Sequence, residues 1–343
     1  MNSLVECVPN FSEGRNAATI DAIGASIRAV EGVKLLSVEP DGDYNRSVVT
    51  FVGEPEPVVN AAVAATGVAV RLINMRLHTG EHPRLGAVDV VPFIPIRGAS
   101  LEDCVRLAEE YGKRVSRDFH IPIYLYEYAA RSPMRRSLAD IRKGEYENLA
   151  AKLNDPAWKP DFGDALFNPA SGATVTGARK FLIAYNVNLN TPDSAIAQEI
   201  AFRIREIGRP RKDPSGAVVK NEEGETVRIP GSLKAVKAMG VFLQRFNIAQ
   251  VSMNLVDFET TGMHTAFEEV HRQAAGLGAE ATGSEIVGLT PLNAILASGR
   301  YYANTSGSGR RTEDELVATA VEHLGLSQLE PFNPAKKIIE YML

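Results

Sequence analysis

Residues 88–96, VDVVPFIPI, form an apolar and largely β-branched run, directly behind the polar stretch MRLHTGEHPRLGA at 75–87. A run of that kind is the signature of a strand buried in a sheet, so the chain must build a sheet and cover it. Gly80 and Pro83 interrupt any helix before the strand, which leaves His78, Glu81 and His82 on a loop at its entrance. Reactive side chains on a loop held by a rigid strand are a common way to build a site.

A histidine beside a strand is most often a hydrogen-bonded structural residue, and His78, His120, His264, His271 and His323 are read that way. His82 is different, because Glu81, Arg84 and Asp89 surround it with charges able to move its pKa.

The chain has 343 residues, 45% of them hydrophobic, enough for two domains or subdomains with full cores. A net charge of −5 without a long basic run argues against nucleic acid as a partner. Cys7 and Cys104 sit in apolar segments, so buried, reduced thiols are expected rather than a disulfide. No apolar segment reaches the roughly 18 residues of a membrane span, and a cytoplasmic location is expected.

The order of elements follows. Residues 4–8 read as a strand, and the turn PNFSEG leads to a helix whose Ile20, Ile23, Ile27 and Val30 make an apolar stripe ended by Gly32. Strands at 33–38 and 47–53 flank the acidic turn Glu39-Pro40-Asp41-Gly42-Asp43, a second helix spans 57–73, and the strand at 88–96 completes β-α-β-β-α-β. That order is a split βαβ unit of the ferredoxin-like kind. Ser100 and Asp103 suggest a capping box for another helix, and 121–126 is a further strand. The basic stretch 132–144 reads as a solvated helix face. Residues 152–173 are rich in Pro and Gly and also hold Trp158, Phe162 and Phe167, which points to a long ordered loop between two halves.

From 181 the same order returns: strand 181–189, helix 194–207, strands 233–243 and 249–256, helix 261–277, strand 285–289. The repeat is one of element order, not of identity. Inside it, 212–230 reads as an exposed hairpin. Residues 302–313 read as flexible, followed by a terminal helix at 313–325. The expected fold is therefore α/β (α+β), two ferredoxin-like subdomains, residues 1–178 and 179–343.

Three motif matches need weighing. His78-Thr79-Gly80-Glu81-His82 fits H-x-x-E-H, which grips zinc when its histidines lie one turn apart on a helix; Gly80 and Pro83 remove that helix, so no metal is expected. Residues 172–180 miss the phosphate-loop pattern because Ala178 stands where the lysine belongs. Ser306-Gly307-Ser308-Gly309 lacks a preceding strand and reads as a flexible loop. Metal-free acid–base chemistry survives, with His82 passing a proton between two amines. Glu39, Asp41 and Asp43 could steady a cation, and Arg46, Arg76 and Arg84 could hold carboxylates, with Asp43 and Arg76 read as solvated surface.

LVECVPNFSEGRN at 4–16, NRSVVTFVG at 45–53, HTGEHPRLGAVDVVPFIPI at 78–96 and SGATVTGARKFLIAYNVNL at 171–189 resemble the glutamate formimidoyltransferases, the formiminotransferases of histidine breakdown. QVSMNLVDFE, GSEIVGLTP and the IIEYML tail extend the resemblance over nearly the whole chain. It implies transfer of the formimidoyl group from N-formimidoyl-L-glutamate to N5 of tetrahydrofolate, a co-substrate. The family's catalytic histidine falls on His82, and its folate-binding segment on Gly163, Asp164, Ala165, Leu166, Phe167, Asn168, Pro169, Ala170, Ser171 and Gly172. Glu39, Asp41, Arg46 and Arg84 are the expected contacts of the donor. The implied architecture is two α/β subdomains, helices outside, with substrates in a groove between the sheets, and a homodimer. Glu39 stands where mammalian members carry aspartate, and 212–230 looks inserted. With the chain ending at Leu343, the cyclodeaminase fused to the mammalian transferase is expected as a separate enzyme. Formyl transfer from N-formyl-L-glutamate, a folate-binding protein without catalysis, and a zinc peptidase are the rival readings.

Overall fold

A computed structural model describes residues 3–305 and 311–343. The chain divides into two compact units, Met1–Lys180 and Phe181–Leu343.

The first unit runs β1 (Leu4–Cys7), β2 (Asn10–Phe11), α1 (Ala17–Arg28), β3 (Val33–Asp41), β4 (Arg46–Gly53), α2 (Pro55–Leu72), β5 (Val88–Arg97), α3 (Leu101–Phe119), β6 (Ile123–Glu127), α4 (Leu138–Arg142), α5 (Leu149–Asn154) and β7 (Thr174–Ala178). Strand β4 lies between β3 and the β1/β2 segment, which in turn pairs with β5, all antiparallel. That is the ferredoxin-like order expected from the alternation of elements. The sheet then continues: β7 adds parallel to β5 and β6 parallel to β7, making seven strands. Sequence patterning does not reveal β7, because TVTGA is short and follows Gly172 in a stretch that resembles a phosphate loop.

Helices α1, α2 and α3 cover one face over a core that includes Ile23, Ile27, Phe51, Phe93, Tyr111 and Val115. Both cysteines are free and buried. The capping box at the start of α3 forms as its sequence suggests, the Asp103 N–H donating to Ser100 Oγ and the Ser100 N–H to Asp103 Oδ2; a cap of this kind stabilises by about 1 kcal/mol. A second cluster, Leu85, Val90, Tyr124, Tyr126, Ile141, Leu149, Leu153 and Val175, packs with Trp158 and Phe167 against it. Here the expectation of a solvated basic face at 132–144 holds for the exposed Arg136 and Lys143 and fails for Arg135 and Arg142. Arg135 is 8% exposed and ion-pairs with Asp161 at 2.9 Å, while Arg142 pairs with the buried Asp89. Both cations face inward because each finds a buried carboxylate.

The second unit runs β8 (Ile183–Leu189), α6 (Ser194–Ile204), β9 (Arg209–Pro210), β10 (Arg228–Ile229), β11 (Val236–Leu243), β12 (Ile248–Leu255), α7 (Met263–Ala275), β13 (Ala281–Val287), α8 (Leu292–Thr305), α9 (Glu313–His323) and α10 (Pro334–Lys337). Its sheet order, β11-β12-β8-β13, is again ferredoxin-like and antiparallel. The pair β9–β10 closes the exposed hairpin that the sequence suggests at 212–230. Helix α8 goes beyond the sequence reading. Within it Gly299 allows close packing, since a Cβ there would lie 2.2 Å from the Leu316 carbonyl oxygen. The stretch read as flexible at 302–313 is helical through Thr305 and again from Glu313, and residues 306–310 lie outside those described.

Candidate active site

Between α2 and β5 the chain makes a short 3-10 turn, Met75–Leu77, and then no regular structure until the buried strand. Met75 N–H donates to the Ala170 carbonyl at 2.9 Å, and His82 N–H to the Tyr44 carbonyl at 3.3 Å, so both ends of this loop are tied down. Residues 78–82 are not helical, and among the described residues no three His, Cys, Asp or Glu side chains gather as a metal site.

One residue stitches the neighbouring segments together. Asn45 sits in the left-handed region at φ 49, a conformation Asn tolerates in tight turns. Its Oδ1 accepts from Gly14 N–H at 2.9 Å and its Nδ2 donates to the Thr79 carbonyl at 2.8 Å. Its own carbonyl lies 2.9 Å from His78 Nε2. A proton on Nε2 leaves Nδ1 to accept from Arg84 Nε at 3.4 Å, so His78 is the satisfied structural histidine expected from sequence.

His82 is half-buried, and no described group hydrogen-bonds its ring. Burial, then the positive charges of Arg142 and Arg46, with His78 and Arg84 adding to them, bring its pKa down to about 4. The imidazole is therefore neutral at pH 7, the form that accepts a proton.

Arg84 is buried, and its fork is full: Nη1 donates to Glu145 and Glu147 at 2.9 Å each, and Nη2 to Glu147 at 2.5 Å. It joins loop to loop, with the Tyr146 ring 6.0 Å from its guanidinium. Glu145 takes φ 55, ψ −163, a conformation essentially reserved for glycine, held by the Arg84 contact and by its N–H on the Arg142 carbonyl at 2.7 Å. Asp89, 1% exposed, accepts from Leu85 N–H at 2.9 Å and pairs with Arg142, which fixes the last residues before β5. A cavity of about 470 Å³ opens among His78, Thr79, Gly80, Arg84, Glu145 and Glu147. The larger cavity of about 630 Å³ in the second unit, lined by Val317, Val321, Phe332 and Tyr341, holds no such charge cluster.

The other expected site residues are distributed as follows. Glu39 is exposed on β3; Asp41 Oδ1 accepts the N–H groups of Asp43 and Tyr44 at 3.0 Å, which makes it the residue that shapes the hairpin turn. Arg46 Nη1 donates to Asn10 Oδ1 at 3.0 Å. Gly163 has φ +84; Asp164, Ala165 and Leu166 are exposed, Leu166 by 71%. Phe167 then packs on Tyr146 at 5.5 Å, Asn168 accepts from Ala170 N–H at 3.0 Å, and the Pro169 carbonyl accepts from Tyr146 Oη at 2.6 Å. Ser171 and Gly172 pass under Leu85–Ala87, where Ala87 N–H donates to Ser171 O at 2.8 Å and Gly172 pairs with Gly86. The segment 163–172 thus abuts the loop that carries His82. Asp89, which the sequence reading places among the charges near His82, is joined by Asn45, Arg142, Glu145 and Glu147, residues that sequence reasoning does not assign to the site.

The Formiminotransferase domain, N-terminal subdomain, matches residues 4–179, and the Formiminotransferase domain matches residues 184–343. The Glutamate formimidoyltransferase of Thermoplasma acidophilum is 44% identical over 89% of this chain and 94% of its own length. This chain belongs to the formiminotransferase family. A second formiminotransferase relative, the Glutamate formimidoyltransferase of Streptococcus pyogenes, is 40% identical over 88% of this chain and 94% of its own. The Formimidoyltransferase-cyclodeaminase of Dictyostelium discoideum is 49% identical over the whole of this chain, which spans 61% of that protein. Every group gathered around His82 falls in the N-terminal subdomain of the formiminotransferase match.

Proposed function

We propose that this protein transfers the formimidoyl group of N-formimidoyl-L-glutamate to N5 of tetrahydrofolate, with His82 moving the proton. The observation that carries the reading is a neutral, half-buried imidazole set among guanidinium groups in a chain 44% identical to a Glutamate formimidoyltransferase. N5 attacks the amidine carbon, and His82 takes the N5 proton as a tetrahedral intermediate forms. The imidazolium then returns that proton to the glutamate nitrogen, the C–N bond breaks, and glutamate leaves. One residue serves both half-steps. The donor carries carboxylates, and cations around His82 are suited to receive them; Arg84, already held by Glu145 and Glu147, is better suited to shaping the wall. Residues 163–172, beside the His82 loop, would seat the pterin, with Phe167 and Tyr146 as an aromatic surface.

The same reading places the enzyme in histidine degradation in the cytoplasm, as a homodimer, with a separate cyclodeaminase consuming 5-formimidoyltetrahydrofolate. The test is a spectrophotometric assay of the purified protein with tetrahydrofolate and either formimidoyl- or formylglutamate. Turnover is expected with the formimidoyl donor. Turnover with the formyl donor alone would replace the substrate, and none with either would remove the reading.

A further inference from the structure

Charged groups reach His82 from several segments: Arg46 from β4, Arg142 from the end of α4, and His78 and Arg84 from its own loop. Behind them, Asp89 holds Arg142, Glu145 and Glu147 hold Arg84, and Glu13 acts on His78. Arg46 and Arg142 differ from Arg84 in one respect. Each is anchored by a terminal nitrogen, Arg46 on Asn10 and Arg142 on Asp89, yet each has a buried Nε with no hydrogen-bond acceptor. Buried donors are rarely left so. The Nε of Arg135 shares this state, but its guanidinium lies 5.4 Å from the Tyr124 ring and 6.0 Å from the Trp158 ring, whereas no such ring contact is made by Arg46 or Arg142 among the described residues. No described carboxylate ion-pairs with Arg46.

We propose that Arg46 and Arg142 form a two-guanidinium cradle for a carboxylate of the donor, which rests on the donor reading given above. A carboxylate supplies the acceptor that both Nε–H groups lack, and guanidinium is the side chain best matched to it. A consequence follows for the histidine. The positive charges of Arg142 and Arg46 oppose protonation of His82, and an anion between them cancels that opposition. Seating the donor therefore makes the ring a stronger base at the moment a proton must be taken.

The test is an NMR titration of the His82 ring, assigned against the spectrum of His82→Ala, with and without saturating L-glutamate, whose carboxylates match those of the donor. Glutamate is expected to raise the His82 pKa by about one unit or more, and Arg46→Gln to abolish that rise. Arg142→Lys keeps the charge that Asp89 needs but lacks the Nε–H, so it separates the cradle from folding. Both variants are expected to raise KM for the donor about tenfold or more, with a smaller change in kcat. An unmoved His82 pKa in the presence of glutamate, or donor KM unchanged in both variants, would overturn the cradle. Because the titration needs no turnover, a glutamate-induced rise without transfer activity would remove the functional reading and leave the cradle standing. Activity without the rise would remove the cradle alone.

Discussion

In the proposed mechanism His82 combines two properties that pull against each other: it accepts a proton, yet its surroundings hold its pKa at about 4 rather than 6.5. Folding therefore favours the neutral ring. As pH falls from 6.5 towards 4, the unfolded chain binds a proton that the folded one refuses, so stability present above 6.5 declines through that window. We expect His82→Gln to flatten the fall of Tm over this range relative to wild type. An unchanged slope would mean that the ring is not depressed in solution. Asp89 poses the opposite problem, a carboxyl raised by burial and kept in place by Arg142. Arg142→Met leaves it unpaired, and denaturant unfolding should show a loss of about 3–5 kcal/mol. At this scale the sequence is readable where chemistry is local: HTGEH marks two histidines on a stretch without a helix, and the structure leaves residues 78–82 non-helical. The Asp89–Arg142 pair joins residues 53 apart, and Arg84 meets Glu145 and Glu147 at separations of 61 and 63. Nothing in the spacing of such residues announces that they will touch.

Among elements, the site depends on three irregular segments pressed against one another, residues 41–46, 78–86 and 163–172. Their backbones come so close that side chains are excluded at chosen points. Gly172 has φ +68, and a Cβ there would lie 2.2 Å from the Leu85 carbonyl oxygen. Gly172→Ala should therefore lower stability by more than about 1 kcal/mol and disturb folate binding as well, measured by thermal unfolding and by ligand titration. Regular elements with clear periodicity, such as α1 and β5, are readable in the sequence because each buries one repeating set of residues. Helix α8 is absent from the sequence reading, and its Gly299 serves close contact with Leu316. Arg135 and Arg142 mislead because a charged stretch looks solvated until buried carboxylates are brought to it by distant strands.

For the whole molecule, two units share the ferredoxin-like strand order, and the first extends it with β7 and β6 so that the added strands and the α4–α5 region frame the charged cluster. The hairpin beyond β9 and β10 contributes little to either core; a Cβ added at Gly216 or Gly224 would meet no atom within 4 Å. Replacing residues 212–226 with a two-residue turn should leave Tm and the transfer rate close to wild type, and a cooperative loss of structure would show that the hairpin does more than decorate. The proton-shuttle role itself is tested most directly by comparing wild type with His82→Ala in a transfer assay from N-formimidoyl-L-glutamate, with tetrahydrofolate affinity measured in parallel. We expect kcat to fall about 10²–10⁴-fold while folate affinity stays nearly unchanged. Undiminished turnover, or an equal loss of turnover and folate binding, would contradict a chemical role for that imidazole.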